Sequence, residues 1–190
     1  FRRVLFRSEC FMPLSVGGGI NSCENIRSLL NHGADKVIIT TAAVLNPDLI
    51  NQAVHEFGSQ CIVVGVDVKK ENGHYAIYTH SGTIKSELCL DDYIKDMDKR
   101  GAGEFFINSI DNDGMMQGYD LELMKHIKTL TDRPIIAAGG AGSFMDLVDA
   151  IKQVEVHAVA CASVFHFGDN NPIRARSYLK NHGIMVKNLK

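Results

Sequence analysis

The chain has 190 residues, enough for one good-sized hydrophobic core. Its 22 acidic and 20 basic residues leave a net charge of −2, which argues against a general nucleic-acid or membrane-surface binder. No run of apolar residues is long enough to span a bilayer, and the short, scattered apolar pieces do not read as a signal peptide.

The five cysteines (Cys10, Cys23, Cys61, Cys89 and Cys161) are odd in number and show no paired metal spacing. They read as buried thiols in a reducing cytoplasm, which is the expected compartment. The eight histidines are dispersed with no pair at i, i+4, so neither a metal nor another cofactor is expected.

Residues 1–8 carry three arginines with neither strand alternation nor a helix cap. They are expected to be a head foreign to the domain, with a phosphate-binding basic tail as the alternative. Residues 9–190 are expected to form a single domain.

Residues 13–16 read as a short strand, followed at once by Gly17, Gly18 and Gly19. Asn21 or Ser22 caps a helix to about His32, with Ile26, Leu29 and Leu30 inward and Gly33 as its stop. Residues 36–40 form a second strand ending in the hydroxyl pair Thr40 and Thr41, and a helix covers 47–57. Residues 61–67 are then apolar until they end in Asp67. A strand apolar on both faces fits a parallel sheet covered on each side. A charge is costly inside such a sheet, so Asp67 is expected at the strand's carboxyl end, facing a cleft. That rim is where α/β folds bind ligands. The alternative is an aspartate that only caps a turn.

Residues 74–79 alternate and follow Asn72-Gly73, which predicts a small hairpin over the rim. A helix over 90–100 ends at Gly101. The strand 104–108 leads to Asp111-Asn112-Asp113-Gly114. A helix over 120–130, a strand over 134–138 and Gly139-Gly140-Ala141-Gly142 come next. A helix over 144–153, a strand over 158–162 and a helix over 172–181 complete six β-α units of roughly 30 residues each. Strands alternating with helices imply a parallel sheet with helical cover.

Sliding the chain by 121 residues lays Pro13 on Pro134, Gly18 on Gly139, Gly19 on Gly140 and Ser22 on Ser143. Glycines at a strand exit expose backbone N–H groups, and the helix that follows offers its positive end. The alternative is that the glycines only permit tight turns. Two matched loops, each followed one unit later by a hydroxyl (Thr41, Ser163), favour two phosphate sites and a substrate with a phosphate at each end.

The motifs that carry a resemblance are Val16-Gly17-Gly18-Gly19-Ile20, Gly33-Ala34-Asp35-Lys36-Val37 and Thr41-Ala42-Ala43 in the first half. Gly101-Ala102-Gly103-Glu104, Asp111-Asn112-Asp113-Gly114 with Gly118-Tyr119-Asp120, Gly139-Gly140-Ala141-Gly142 and Ala162-Ser163-Val164-Phe165-His166-Phe167 follow. In this order the chain, from about residue 9 to its end, closely resembles the cyclase subunit of imidazole glycerol phosphate synthase, from histidine biosynthesis. The resemblance implies a (β/α)8 TIM barrel with internal two-fold symmetry, here incomplete. A full barrel takes about 250 residues, so the first two strands are expected to be missing. The family's first catalytic aspartate lies on the first strand, and the chain as given is expected to be inactive alone.

By the same resemblance Asp67 matches the second catalytic aspartate, and Asp113 an aspartate beside the substrate. Gly19, Thr41, Gly114, Gly140 and Ser163 match phosphate-loop positions, with Gly18, Thr40, Gly139 and Ala162 beside them. Ammonia from a glutaminase partner would travel through the barrel and attack the bisphosphorylated aminoimidazole precursor. The products would be imidazole glycerol phosphate and aminoimidazole carboxamide ribotide. Lys36 and Glu104, at strand starts, would belong to a charged ring at the ammonia entrance, and Asp35 and Gln60 would help dock the glutaminase. Read without the resemblance, these charges are solvated strand ends.

Thr40 stands where the family usually has Asn, Ala138 where it has a small hydroxyl residue, and Met115-Met116-Gln117 replaces a more polar stretch. Together with residues 79–83 and Asn112, these departures resemble a related branch that delivers ammonia for acetamidino groups on surface-glycan sugars. That branch is the second reading. A non-catalytic fragment that binds phosphates or partners is the third.

Overall fold

The computed structural model describes residues 13–186. Six parallel strands form its spine: β1 (Ser15–Gly17), β2 (Lys36–Ile39), β3 (Ile62–Glu71), β6 (Glu104–Ser109), β7 (Ile135–Ala138) and β8 (Ala158–Val159). They pair in that order. Between β3 and β6 the chain inserts β4 (His74–Thr79) and β5 (Ile84–Cys89), an antiparallel extension of β3. Helices α1 (Cys23–Asn31), α3 (Asp48–Phe57), α4 (Leu90–Lys99), α5 (Leu121–Lys128), α6 (Phe144–Asp149) and α8 (Pro172–Asn181) alternate with the parallel strands. The result is a curled half-barrel, an incomplete (β/α)8 arrangement.

Strand periodicity sorts side chains between two faces. Val37, Ile39, Ile62, Val64, Val66, Phe105, Ile107 and Ile135 are buried in one cluster with Ile26, Ile50, Ile94, Met97, Leu123 and Ile127 of the helices. The intervening residues turn to the concave side. There Ile38 and Thr40 flank Gly65 so closely that a Cβ at Gly65 would overlap Thr40 Oγ1.

Four of the eight α-helices among the described residues, α1, α5, α6 and α8, start on a polar residue whose side chain caps them. Ser22 accepts from the Asn25 N–H at 3.2 Å, and Asp120 from Leu123 at 2.9 Å. Ser143 and Asp146 form a reciprocal capping box at α6. The turn between β3 and β4 holds Asn72 and Gly73 at positive φ, the geometry that suits a two-residue hairpin.

Four expectations need correction. The strand expected to end at Asp67 runs on to Glu71, because beyond Val64 it leaves β2 and from Asp67 pairs with β4 instead. The strand expected over 158–162 has only two residues, and it lies at the end of the sheet order. Two short helices were not anticipated, α2 (Thr41–Leu45) and α7 (Ser163–His166). The thiols are not fully buried: Cys23, Cys61 and Cys161 are half-buried, and Cys89, closing β5 on the hairpin, is exposed. Cys10 and the head over residues 1–8 lie outside the described residues. Among the described residues no helix is long and apolar enough to cross a membrane.

Candidate active site

The carboxyl ends of the strands open into two clefts. The first, of about 550 Å³, is lined by Gly18 and Gly19, by Thr40, Thr41 and Leu45, and by Asp67, His80 and Ser81. The second, of about 340 Å³, is lined by Gly139, Gly140, Ala162, Ser163, Asp113, Phe106 and Asn108.

The clefts repeat one another. Gly18 and Gly19 have φ of 98° and 70°, and Gly139 and Gly140 have 83° and 108°. This backbone suits glycine and lets the main chain itself line each cleft. Thr41 begins α2 and Ser163 begins α7, so each cleft receives a hydroxyl from the first residue of a short helix. The two-fold pattern legible in the glycines therefore extends to elements the sequence reading had not anticipated.

The copies differ in what supports them. The Gly118 N–H donates to the Gly140 carbonyl at 2.8 Å, and Asn112 Nδ2 donates to the Gly118 carbonyl at 2.9 Å. A Cβ at Gly140 would overlap the Gly118 carbonyl, whereas one at Gly19 would meet nothing within 4 Å. The loop after β6 thus holds the second glycine loop from below. Gly114 belongs to that loop but lines neither cleft.

Asp67 and Asn108 stand where the clefts meet. Parallel pairing sets them side by side, and Asn108 Nδ2 donates to Asp67 Oδ1 at 3.1 Å. Burial pushes the Asp67 carboxyl above its ordinary range; the Asn108 hydrogen bond pulls it back, and the negative charge of Asp113 adds to the rise. A buried carboxyl raised in this way is of the kind that acid–base chemistry uses.

Asn108 was not among the residues expected from sequence. Its signal was the alternation Glu104, Phe106, Asn108, which places all three on the concave face. His80 and Ser81 were noted only as part of a divergent stretch. They reach the first cleft through a long-range contact that spacing does not encode: the His80 N–H donates to Thr41 Oγ1 at 3.0 Å.

At the opposite end Lys36 Nζ and Glu104 Oε1 form an ion pair across β3, between the first residues of β2 and β6. Asp35 precedes β2 and accepts the Leu14 N–H at 2.8 Å. Gln60 sits in the single turn before β3, its Nε2 donating to the Phe57 carbonyl at 3.3 Å. All four expected residues thus share the end away from the clefts. Among the described residues no three His, Cys, Asp or Glu side chains are grouped to hold a metal ion.

Comparison with known proteins agrees with this architecture. The family model for the histidine biosynthesis protein matches residues 5–171. The imidazole glycerol phosphate synthase subunit HisF of Dictyoglomus thermophilum is 49% identical over 181 residues, 95% of this chain and 71% of that protein. Its counterpart from Dictyoglomus turgidum is 48% identical over 181 residues, with the same shares. The chain therefore belongs to the histidine biosynthesis protein family, in the branch formed by the cyclase subunit of imidazole glycerol phosphate synthase.

Proposed function

We propose that the two clefts hold the phosphates of one bisphosphorylated aminoimidazole carboxamide precursor. Its reacting centre then lies between them, at Asp67. The observation that carries this reading is the matched pair of glycine-and-hydroxyl clefts meeting at the Asn108–Asp67 hydrogen bond. Gly18, Gly19, Thr40 and Thr41 take one phosphate, and Gly139, Gly140, Ala162 and Ser163 take the other, with Gly114 shaping the loop beside it. Asp67 is the base, and Asp113 lies beside the substrate and tunes Asp67 by its charge.

Ammonia released by a glutaminase partner enters past Lys36 and Glu104, and Asp35 and Gln60 belong to the docking face. Ring closure and cleavage yield imidazole glycerol phosphate and aminoimidazole carboxamide ribotide. No cofactor is needed for proton transfer of this kind, and we assign the reaction to the cytoplasm. The kinship with histidine-pathway subunits favours this acceptor over a sugar of the glycan-modification branch.

The test is turnover of the bisphosphorylated precursor by the full-length protein, with ammonium salt and then with glutamine plus the glutaminase. Turnover in both is expected. Amidination of a sugar acceptor without turnover of the precursor would instead assign the chain to the glycan branch.

A further inference from the structure

The turn between β4 and β5 has an unusual backbone for its sequence. His80, Ser81 and Gly82 are consecutive left-handed residues, with φ of 52°, 57° and 77°. Two of them carry a Cβ, for which this region is disfavoured. The turn is nevertheless held firmly: the Thr83 N–H donates to the Thr79 carbonyl at 3.1 Å, and Thr83 Oγ1 donates to the His80 carbonyl at 2.7 Å. A conformation kept against its own preference beside a ligand cleft points to a use for it there.

Among the described residues lining the two clefts, His80 has the one side chain that can carry positive charge. We propose that His80 supplies the cationic contact to the phosphate at Gly18 and Gly19, and that its backbone amide sets Thr41 to bind the same anion. This rests on the reading that the clefts hold phosphates.

The chemistry follows from the hydrogen bonds present. A hydroxyl has one proton and two acceptor positions. Thr41 Oγ1 accepts from the His80 N–H at 3.0 Å, so its own proton remains available to donate into the cleft. His80 Nδ1 lies 3.1 Å from Thr79 Oγ1, which leaves Nε2 as the nitrogen for the ligand. The ionisable group lining the same cleft is Asp67. Hydrogen bonds from a charged donor to an anion are roughly twice as strong as neutral ones. Among the described residues no loop supports Gly18 and Gly19 as the loop after β6 supports Gly140, so His80 would give the first cleft a side-chain hold in its place.

The experiment is a sulfate titration of the full chain in mildly acidic buffer. It is followed by the amide resonances of Gly18, Gly19, Gly139 and Gly140. His80→Asn removes the charge while keeping a residue that tolerates positive φ. It should weaken sulfate at the first pair of glycines about tenfold, as loss of a charged hydrogen bond does, and leave the second pair unchanged. His80→Lys restores a fixed charge and should recover most of the loss. Equal affinity in wild type and His80→Asn would overturn the proposal while leaving the two-cleft reading intact. Weakening in both variants would also overturn it, since turn shape and not charge would then matter. Sulfate that shifts neither pair in the wild type would sink both the proposal and the reading beneath it.

Discussion

Asn108 donates to Asp67 Oδ1 over 3.1 Å, and this one bond joins the two clefts. It also opposes the burial and the Asp113 charge that raise the Asp67 pKa. If Asp67 acts as an ionised base, activity should fall on the acid side at a pH above the ordinary aspartate range. Asn108→Leu removes the stabilising donor and should move that limb to higher pH. Asp113→Asn removes a neighbouring negative charge and should move it lower. The measurement is kcat/KM against pH for wild type and both variants, each in the full-length protein. Limbs that stay in place would mean that ionisation of Asp67 does not control the rate.

If Asp67 is the base, Asp67→Asn in the full-length protein keeps size and shape but removes it. Positioned acid–base groups contribute about 10²–10⁴-fold, so ammonium-dependent turnover should fall by that order while substrate affinity stays near wild type. Stability should move the other way. The folded pKa of Asp67 lies above its unfolded value, so the stability it contributes is full below the unfolded pKa and lost as pH rises through the folded one. At neutral pH the neutral amide should therefore raise Tm. A lower Tm together with weaker affinity would mark Asp67 as structural.

The order of strands and helices was legible because it rests on local signals. Ser22, Asp120, Ser143 and Pro172 announce helix starts, Asn72-Gly73 announces a hairpin, and the apolar run before Asp67 announces a covered parallel strand. The glycine repeat marked the loops of both clefts for the same reason, since glycine is the residue that takes up positive φ at no steric cost. What escaped depended on partners distant in sequence. The continuation of β3 past Asp67 is stabilised by β4, and the two residues of β8 pair with β7 alone among the described strands. Asn108 acquires its role from Asp67 on a neighbouring strand, and His80 from Thr41 across the rim.

The unequal support of the glycine loops gives a contrast between two substitutions. Gly19→Ala meets open space and should cost about 1 kcal/mol for its left-handed backbone. Gly140→Ala would also press on the Gly118 carbonyl, forcing the loop over 113–118 to move. Thermal unfolding should show a clearly larger loss for Gly140→Ala. Equal losses would mean that the second loop yields without resistance.

The ends of the parallel sheet, β1 and β8, each pair along one side only among the described residues. Unpaired strand edges promote association. A polypeptide limited to residues 13–186 should therefore sediment as oligomers, and a monodisperse monomer at micromolar concentration would contradict this.

Lys36 and Glu104 offer the sharpest test of the proposal that ammonia enters at the end opposite the clefts. Their side chains keep 34% and 21% exposure, so the pair is only partly withdrawn from water. Pairs of this kind contribute at most about 1 kcal/mol to stability, and folding alone gives little reason to bridge two strands across β3. A role at the ammonia entrance makes a different demand, because it requires the charges at the end opposite Asp67. Lys36→Ala should then leave Tm and ammonium-dependent turnover near wild type, since free ammonium reaches the clefts directly. Glutamine-dependent turnover should fall, and more glutamine should be hydrolysed by the glutaminase per molecule of product formed. The reversed pair, Lys36→Glu with Glu104→Lys, should recover part of that coupling if the ion pair itself orders the entrance. If glutamine- and ammonium-dependent turnover fall together, the substitution has disturbed the barrel and not the entrance. If neither falls, Lys36 and Glu104 are solvated strand ends and ammonia enters elsewhere.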